Sequence, residues 1–177
     1  MGYSWENDVA NVASLEGIVT TLVGGAAGAA LIQELREKVA HLQRELHRWT
    51  EIDISLCVRG HGGLFDREKP LAAIDMNDPP SVREGALAQR LTGAGYQRKP
   101  RRVVSVAPED VTCVCFGKLI SRALYHALVS LLRRTTNIRL DYEMFMRLAI
   151  SETVRLARAG VLPQFSAHIQ SQRSAFV

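Results

Sequence analysis

Aromatic residues are scarce in this chain, lysine is scarcer, and cysteine is odd in number. Aromatics make up 6% of the residues, too few for the stacking platforms with which single-stranded nucleic acids are commonly gripped base by base. Cys57, Cys113 and Cys115 cannot pair among themselves without a remainder, and neighbours at C-x-C spacing rarely bridge. A secreted disulfide scaffold is therefore excluded, and a reducing compartment fits. Long hydrophobic runs are missing too. The uncharged stretch Gly17 to Gln33 is rich in Gly and Ala and falls short of the roughly 20 apolar residues a membrane span requires. Glu6 and Asp8 precede any apolar run, unlike a secretory signal. Glu6 also stands where N-terminal acylation wants Ser or Thr.

Catalytic signatures are equally thin. There is no phosphate-binding Walker loop, no dinucleotide fingerprint after a strand, no H-E-x-x-H and no G-x-S-x-G elbow. Cys57, His61, Cys113 and Cys115 lack the C-x2-C spacing of a zinc knuckle, and the three cysteines are expected in the core. His61-Gly62-Gly63 reads as a glycine-rich turn. No catalytic residue, cofactor or metal is expected.

What is present is helical patterning. The 177 residues are 47% hydrophobic and 23% charged, an ordinary globular balance sized for one domain. A helix is expected up to Val23, then a break at Gly24-Gly25 and a second helix starting among the alanines. Leu35, Val39, Leu42, Leu46 and Trp49 alternate steps of four and three, one helical stripe. From Thr50 the alternation Ile52, Ile54, Leu56, Val58 predicts a short strand, with Gly60 to Gly63 turning the chain and Leu64-Phe65 as a hairpin partner. Asn77-Asp78-Pro79-Pro80-Ser81 predicts the start of a helix running to about Leu91, ended by Thr92 to Gly95. Pro108-Glu109-Asp110 opens another, with the stripe Ile120, Leu124, Leu128 and Leu131 and with Arg133-Arg134 at its close. The last spans about Asp141 to Ala159, stopped by Gly160. The expectation is a mostly-α bundle of four substantial helices with a little strand. It forms one domain over 1–163, followed by a loose polar tail over 164–177.

The charge is uneven. Of 22 basic residues only Lys38, Lys69, Lys99 and Lys118 are lysine, so eighteen are arginine. Arginine's planar fork suits phosphate. The net charge of +4 is mild, but no acid occurs between Leu91 and Pro108. Arg90, Arg98, Lys99, Arg101 and Arg102 crowd that interhelical loop, about 92–107. Such a segment fits sequence-independent contact with phosphates through counterion release, assisted by the helix N-terminus that follows. With only Tyr96 nearby, tracking the backbone fits better than reading bases.

In order and spacing the chain resembles the coat proteins of rod-shaped plant RNA viruses, the tobacco mosaic virus type. The matching segments are Gln43-Arg44-Glu45-Leu46-His47-Arg48-Trp49 followed by Ile54-Ser55-Leu56-Cys57-Val58-Arg59 and Phe65, then Asn77-Asp78-Pro79, then Arg101-Arg102-Val103 before a long helix, and Leu131-Leu132-Arg133 with Thr135 and Phe145. The resemblance implies an antiparallel four-helix bundle with a small β element. Its subunits would stack into a helical rod around single-stranded genomic RNA, in the virion and the host cytoplasm, without a membrane. It also implies that Lys38 and Asp110 lie beside the RNA and that Arg122 is a core arginine in a structural ion pair. Carboxylates that repel across subunit contacts would make assembly favour mild acid. Asp75, Asp78, Glu84 and Glu109 are the candidates, flanking the third helix and opening the fourth. Two other readings stay open: a helical adaptor that binds a partner helix through its heptad stripe, and a dimeric RNA-binding regulator of the silencing-suppressor type.

Overall fold

Apolar residues at steps of three and four run without interruption from Leu31 to Leu56, and the chain follows them as one helix. The computed structural model describes residues 5–96 and 104–161. In chain order these form α1 (Trp5–Val9), α2 (Val12–Leu22), α3 (Gly25–Val58), a 3-10 turn (Pro70–Ala73), β1 (Ile74–Asp75), β2 (Ser81–Val82), α4 (Glu84–Gly93), a second 3-10 turn (Pro108–Asp110), α5 (Val111–Val114), α6 (Gly117–Thr135) and α7 (Tyr142–Arg158). The fold is mostly helical, and β1 and β2 make a small antiparallel pair with Ile74 opposite Val82.

The break between α2 and α3 falls at Gly24-Gly25, as the sequence predicts. Arg36 reaches back from α3 to Glu16 of α2 at 2.6 Å, so the two helices fold against each other. The strand expected over Ile52–Val58 is a correction: these residues complete α3. Ile52 and Leu56 sit three and seven positions after Trp49, so they extend the same buried stripe. Ile52, Ser55 and Leu56 are buried, whereas Val58 is 55% exposed. A helix already formed adds one hydrogen bond for each residue it fixes, and nothing between Thr50 and Arg59 breaks it. Even Ser55 is satisfied within it, donating to the Glu51 carbonyl at 2.6 Å.

The helix stops where left-handed backbone becomes cheap. Gly60 has φ +79°; its N–H donates to Cys57 O at 3.0 Å and that of His61 to Leu56 O at 3.0 Å, the pairing of a Schellman end. Leu64 and Phe65 are buried but form no hairpin. The Asp53 carboxylate instead accepts from the Leu64 N–H. Burial pushes the Asp53 carboxyl up, against the hydrogen bonds from Leu64 and Phe65.

The helix expected from Asn77 begins only at Glu84, because Ser81-Val82 is taken by the strand pair. The helix opened by Pro108 is not continuous either. It turns through 112° between α5 and α6. The buried Asn7 amide donates to both Thr112 O and Cys115 O at 2.9 Å, satisfying carbonyls that a break leaves open. Cys115 is buried there, and burial pushes its thiol up to about 12. Cys57 and Cys113 are exposed, a correction to the expectation of three core cysteines. On a helix each falls outside the apolar stripe.

Ile120, Leu124, Leu128 and Leu131 are buried in α6 as expected, and α7 begins on the Asp141 cap, whose side chain accepts from Met144 N at 2.7 Å. The core lies where α3, α6, α2 and α7 meet, with α1 packed on α6 and α7 and with Trp49 and Phe145 among its largest members. α4 packs chiefly on the first 3-10 turn. Among the described residues no single helix is long and apolar enough to cross a membrane.

A direct check separates helix from strand over 52–58. Leu56→Ala should cost about 2–5 kcal/mol of stability, whereas Val58→Ser should stay within about 0.5 kcal/mol, both read from urea unfolding midpoints. Equal losses would restore the alternating strand.

Candidate nucleic-acid interface

Two rows of polar side chains border the apolar stripe of α3, and each row holds a different loop. Gln43, His47 and Glu51, spaced by four, line one side. Glu51 is buried, 2% exposed, a position a carboxylate tolerates only with partners. Its Oε1 accepts from the Val106 N–H at 3.2 Å and lies 3.6 Å from His47 Nε2. That nitrogen also meets Val106 O at 2.6 Å. Gln43 donates to Glu109 O at 2.9 Å. Residues 106–109, which follow the basic segment, are thus fastened to α3 at three points. On the other side Glu45 accepts from Val82 N at 3.3 Å, and Lys38 pairs with Asp78.

The chain before the basic segment is held as firmly. Leu91 is buried, and α4 ends in a second Schellman pairing: Tyr96 N to Leu91 O and Gly95 N to Thr92 O, both 2.9 Å. Gly95 has φ +87°, which a residue with a Cβ adopts only with strain. The Tyr96 ring stands edge-on to His61, centroids 5.3 Å apart. One turn earlier, Arg90 donates to Asp66 at 2.8 Å. Asp66 also accepts the Glu68 and Lys69 N–H groups at 2.8 and 2.9 Å. The Arg90 bond, then those backbone bonds, hold the Asp66 carboxyl down to about 2.

Arg98, Lys99, Arg101 and Arg102 lie outside the described residues, as does the tail from 164. The other expected site residues are dispersed. Lys38 is 8% exposed and directs its ammonium at Asp78, whose second oxygen lies 3.7 Å from Arg134; Arg134 pairs in turn with Glu34. The Lys38 hydrogen bond holds the Asp78 carboxyl below its ordinary value. Expected RNA contact and expected assembly carboxylate are thus each other's partners. Asp110 and Glu109 are exposed beside Gln43, Glu84 is exposed in the first turn of α4, and Asp75 is half-buried in β1. Arg122 is exposed on α6 rather than in the core, its guanidinium 3.5 Å from the centroid of the Tyr142 ring. The structure adds residues that sequence reasoning missed, His47, Glu51 and Asp66, of which Glu51 carried one signal: an acid placed four residues after a histidine at the edge of an apolar stripe. Among the described residues no cluster of His, Cys, Asp and Glu could hold a metal ion.

No protein-family model, no curated protein and no solved structure matches the chain.

The Asp66 cluster predicts a pH dependence. A carboxyl depressed in the folded state contributes stability above its unfolded pKa near 4, and that contribution disappears as pH falls towards about 2. Asp66→Asn should therefore be less stable than the parent at neutral pH, with the gap closing between about pH 4 and 2 in acid-unfolding curves. A gap constant across that range would rule out the ionised Asp66 as the anchor.

Proposed function

We propose that this chain is a structural subunit that packages single-stranded RNA through phosphate contacts and stacks with copies of itself into a helical rod, without catalysis. The observation that carries the reading is the acid-free segment with its two anchored flanks. Five basic side chains fall between residues 90 and 102; the first of them, Arg90, and then Tyr96 are held ahead of the other four, and Val106 after them is clamped to Glu51 and His47. Phosphate contact asks for dense positive charge on a rigid base and makes no demand for base-specific pockets.

The finer architecture, an antiparallel four-helix bundle of the tobacco mosaic virus coat type, belongs to the same proposal, supported by the order of motifs in the sequence. Within it Asp78 is engaged by Lys38, so acid-favoured assembly falls to the exposed Glu84 and Glu109 and to Asp75. Lys38, being buried in an ion pair, is the weakest of the expected RNA contacts.

Changing Arg98, Arg101 and Arg102 together to Ala should weaken binding to single-stranded RNA and lower the slope of log affinity against log salt by about 2, since each lost phosphate contact removes about 0.7. Electron microscopy of the parent protein with RNA should show rods or discs, which the triple variant forms poorly. Small RNA-binding dimers would favour a regulator. An unaltered salt slope would remove the segment as the contact.

A further inference from the structure

A cavity of about 670 Å³ opens between the first 3-10 turn, α1, α6 and α7, beside the Asp66 anchor, whose Glu68 and Lys69 also line it. Four cationic side chains line it: Arg67 and Lys69 from the loop before the 3-10 turn, and Lys118 and Arg122 one turn apart on α6. Two acids, Glu6 and Glu68, also reach it, so the balance is positive. Six other basic side chains (Arg36, Lys38, Arg90, Arg134, Arg147 and Arg155) are paired with carboxylates within 4 Å. Among the described residues Arg67, Lys69 and Lys118 have no such pair.

The cavity is not purely ionic. Leu71, Met146 and Tyr142 give it an apolar floor, and the Tyr142 hydroxyl is fixed by Ser121 Oγ at 2.8 Å. Tyr142 in turn carries the Arg122 guanidinium over its ring at 3.5 Å, which holds a planar cation in place at an exposed position. Bases stack on aromatic rings and on guanidinium planes alike, and cations beside such a plane suit the phosphate. The volume lies within the range of sites for small molecules.

We propose that this cavity takes one nucleotide unit of single-stranded RNA, its base against Arg122 and the apolar floor and its phosphate between Lys118, Arg67 and Lys69. The inference rests on the reading that RNA is the partner but concerns a site separate from the acid-free segment. An acidic segment of a second copy would satisfy the cations but leave the planar guanidinium and the apolar floor without a role.

The test uses the full chain and adenosine 5′-monophosphate, ribose 5-phosphate and inorganic phosphate as probes, with binding followed by calorimetry. The mononucleotide should bind saturably, at least about 5-fold more tightly than ribose 5-phosphate. Arg67→Ala with Lys118→Ala should weaken it at least about 10-fold, and Lys118→Ala alone should weaken it less. Both residues of these variants are exposed, and circular dichroism should show unchanged helix. The loop variant lacking Arg98, Arg101 and Arg102 should bind the mononucleotide like the parent while losing RNA affinity, so failure of this site and failure of the packaging reading show separately. Equal binding of all three probes, or mononucleotide binding indifferent to Arg67 and Lys118, would overturn the proposal. So would a double variant that loses self-association and keeps the mononucleotide, which would make the cavity a contact between copies.

Discussion

A buried carboxylate cannot be left alone, and Glu51 is where this chain meets that constraint. Taking an ionised group out of water costs several kcal/mol unless hydrogen bonds or charge replace the lost hydration. Among the replacements is the Val106 N–H, which belongs to a segment 55 residues further along, with a histidine of the same helix 3.6 Å away. The acid therefore turns a backbone into a required partner. Once Val106 is bound, the chain that follows is committed to the surface of α3, and Gln43 fixes Glu109 one turn away. At 1.5 Å per residue the 34-residue helix is about 51 Å long. It serves as the rail to which the later loops are fastened.

The same economy of charge appears across the surface. Among the described residues most of the ion pairs involve exposed side chains, and such pairs contribute little stability, about 0–1 kcal/mol each. Their larger effect is on the field. Each pair cancels a positive charge on the helical scaffold, which leaves positive potential along residues 91–108, where acids are missing, and around the cavity, where Arg67, Lys69, Lys118 and Arg122 outnumber Glu6 and Glu68. A modest net charge is thereby compatible with local patches that attract an anion.

The helices of this fold were legible because their apolar residues recur at steps of three and four, and the ends of α4 and α7 because Gly95 and Gly160 follow the last buried turn. The stretch 52–58 was not, since Ile52, Ile54, Leu56 and Val58 satisfy period two while Trp49, Ile52 and Leu56 satisfy the helix. Over seven residues the two patterns coincide, and only the helix already running into them decides. The bend between α5 and α6 was hidden for another reason. It depends on Asn7, more than 100 residues away, whose amide makes an interrupted helix tolerable. Likewise nothing in the spacing around Lys38 points to Asp78, 40 residues on, with which it pairs. Long-range partners of single polar residues leave no periodic trace.

Weak attraction for phosphate by one chain is not an obstacle to the packaging reading; it is a condition of it. On that reading a net charge of +4 would give a single subunit only a shallow, salt-sensitive hold on RNA. A strand that passes many identical subunits meets each next site at a high effective concentration, so modest contacts multiply into a stable assembly. A subunit that bound strongly alone would seize RNA at random and leave gaps. Because phosphate contact carries no sequence information, every position along the strand is equivalent. Register would then come from protein–protein stacking, and the ion pairs that neutralise Arg36, Arg134, Arg147 and Arg155 on the scaffold surface would lower the repulsion between neighbouring copies.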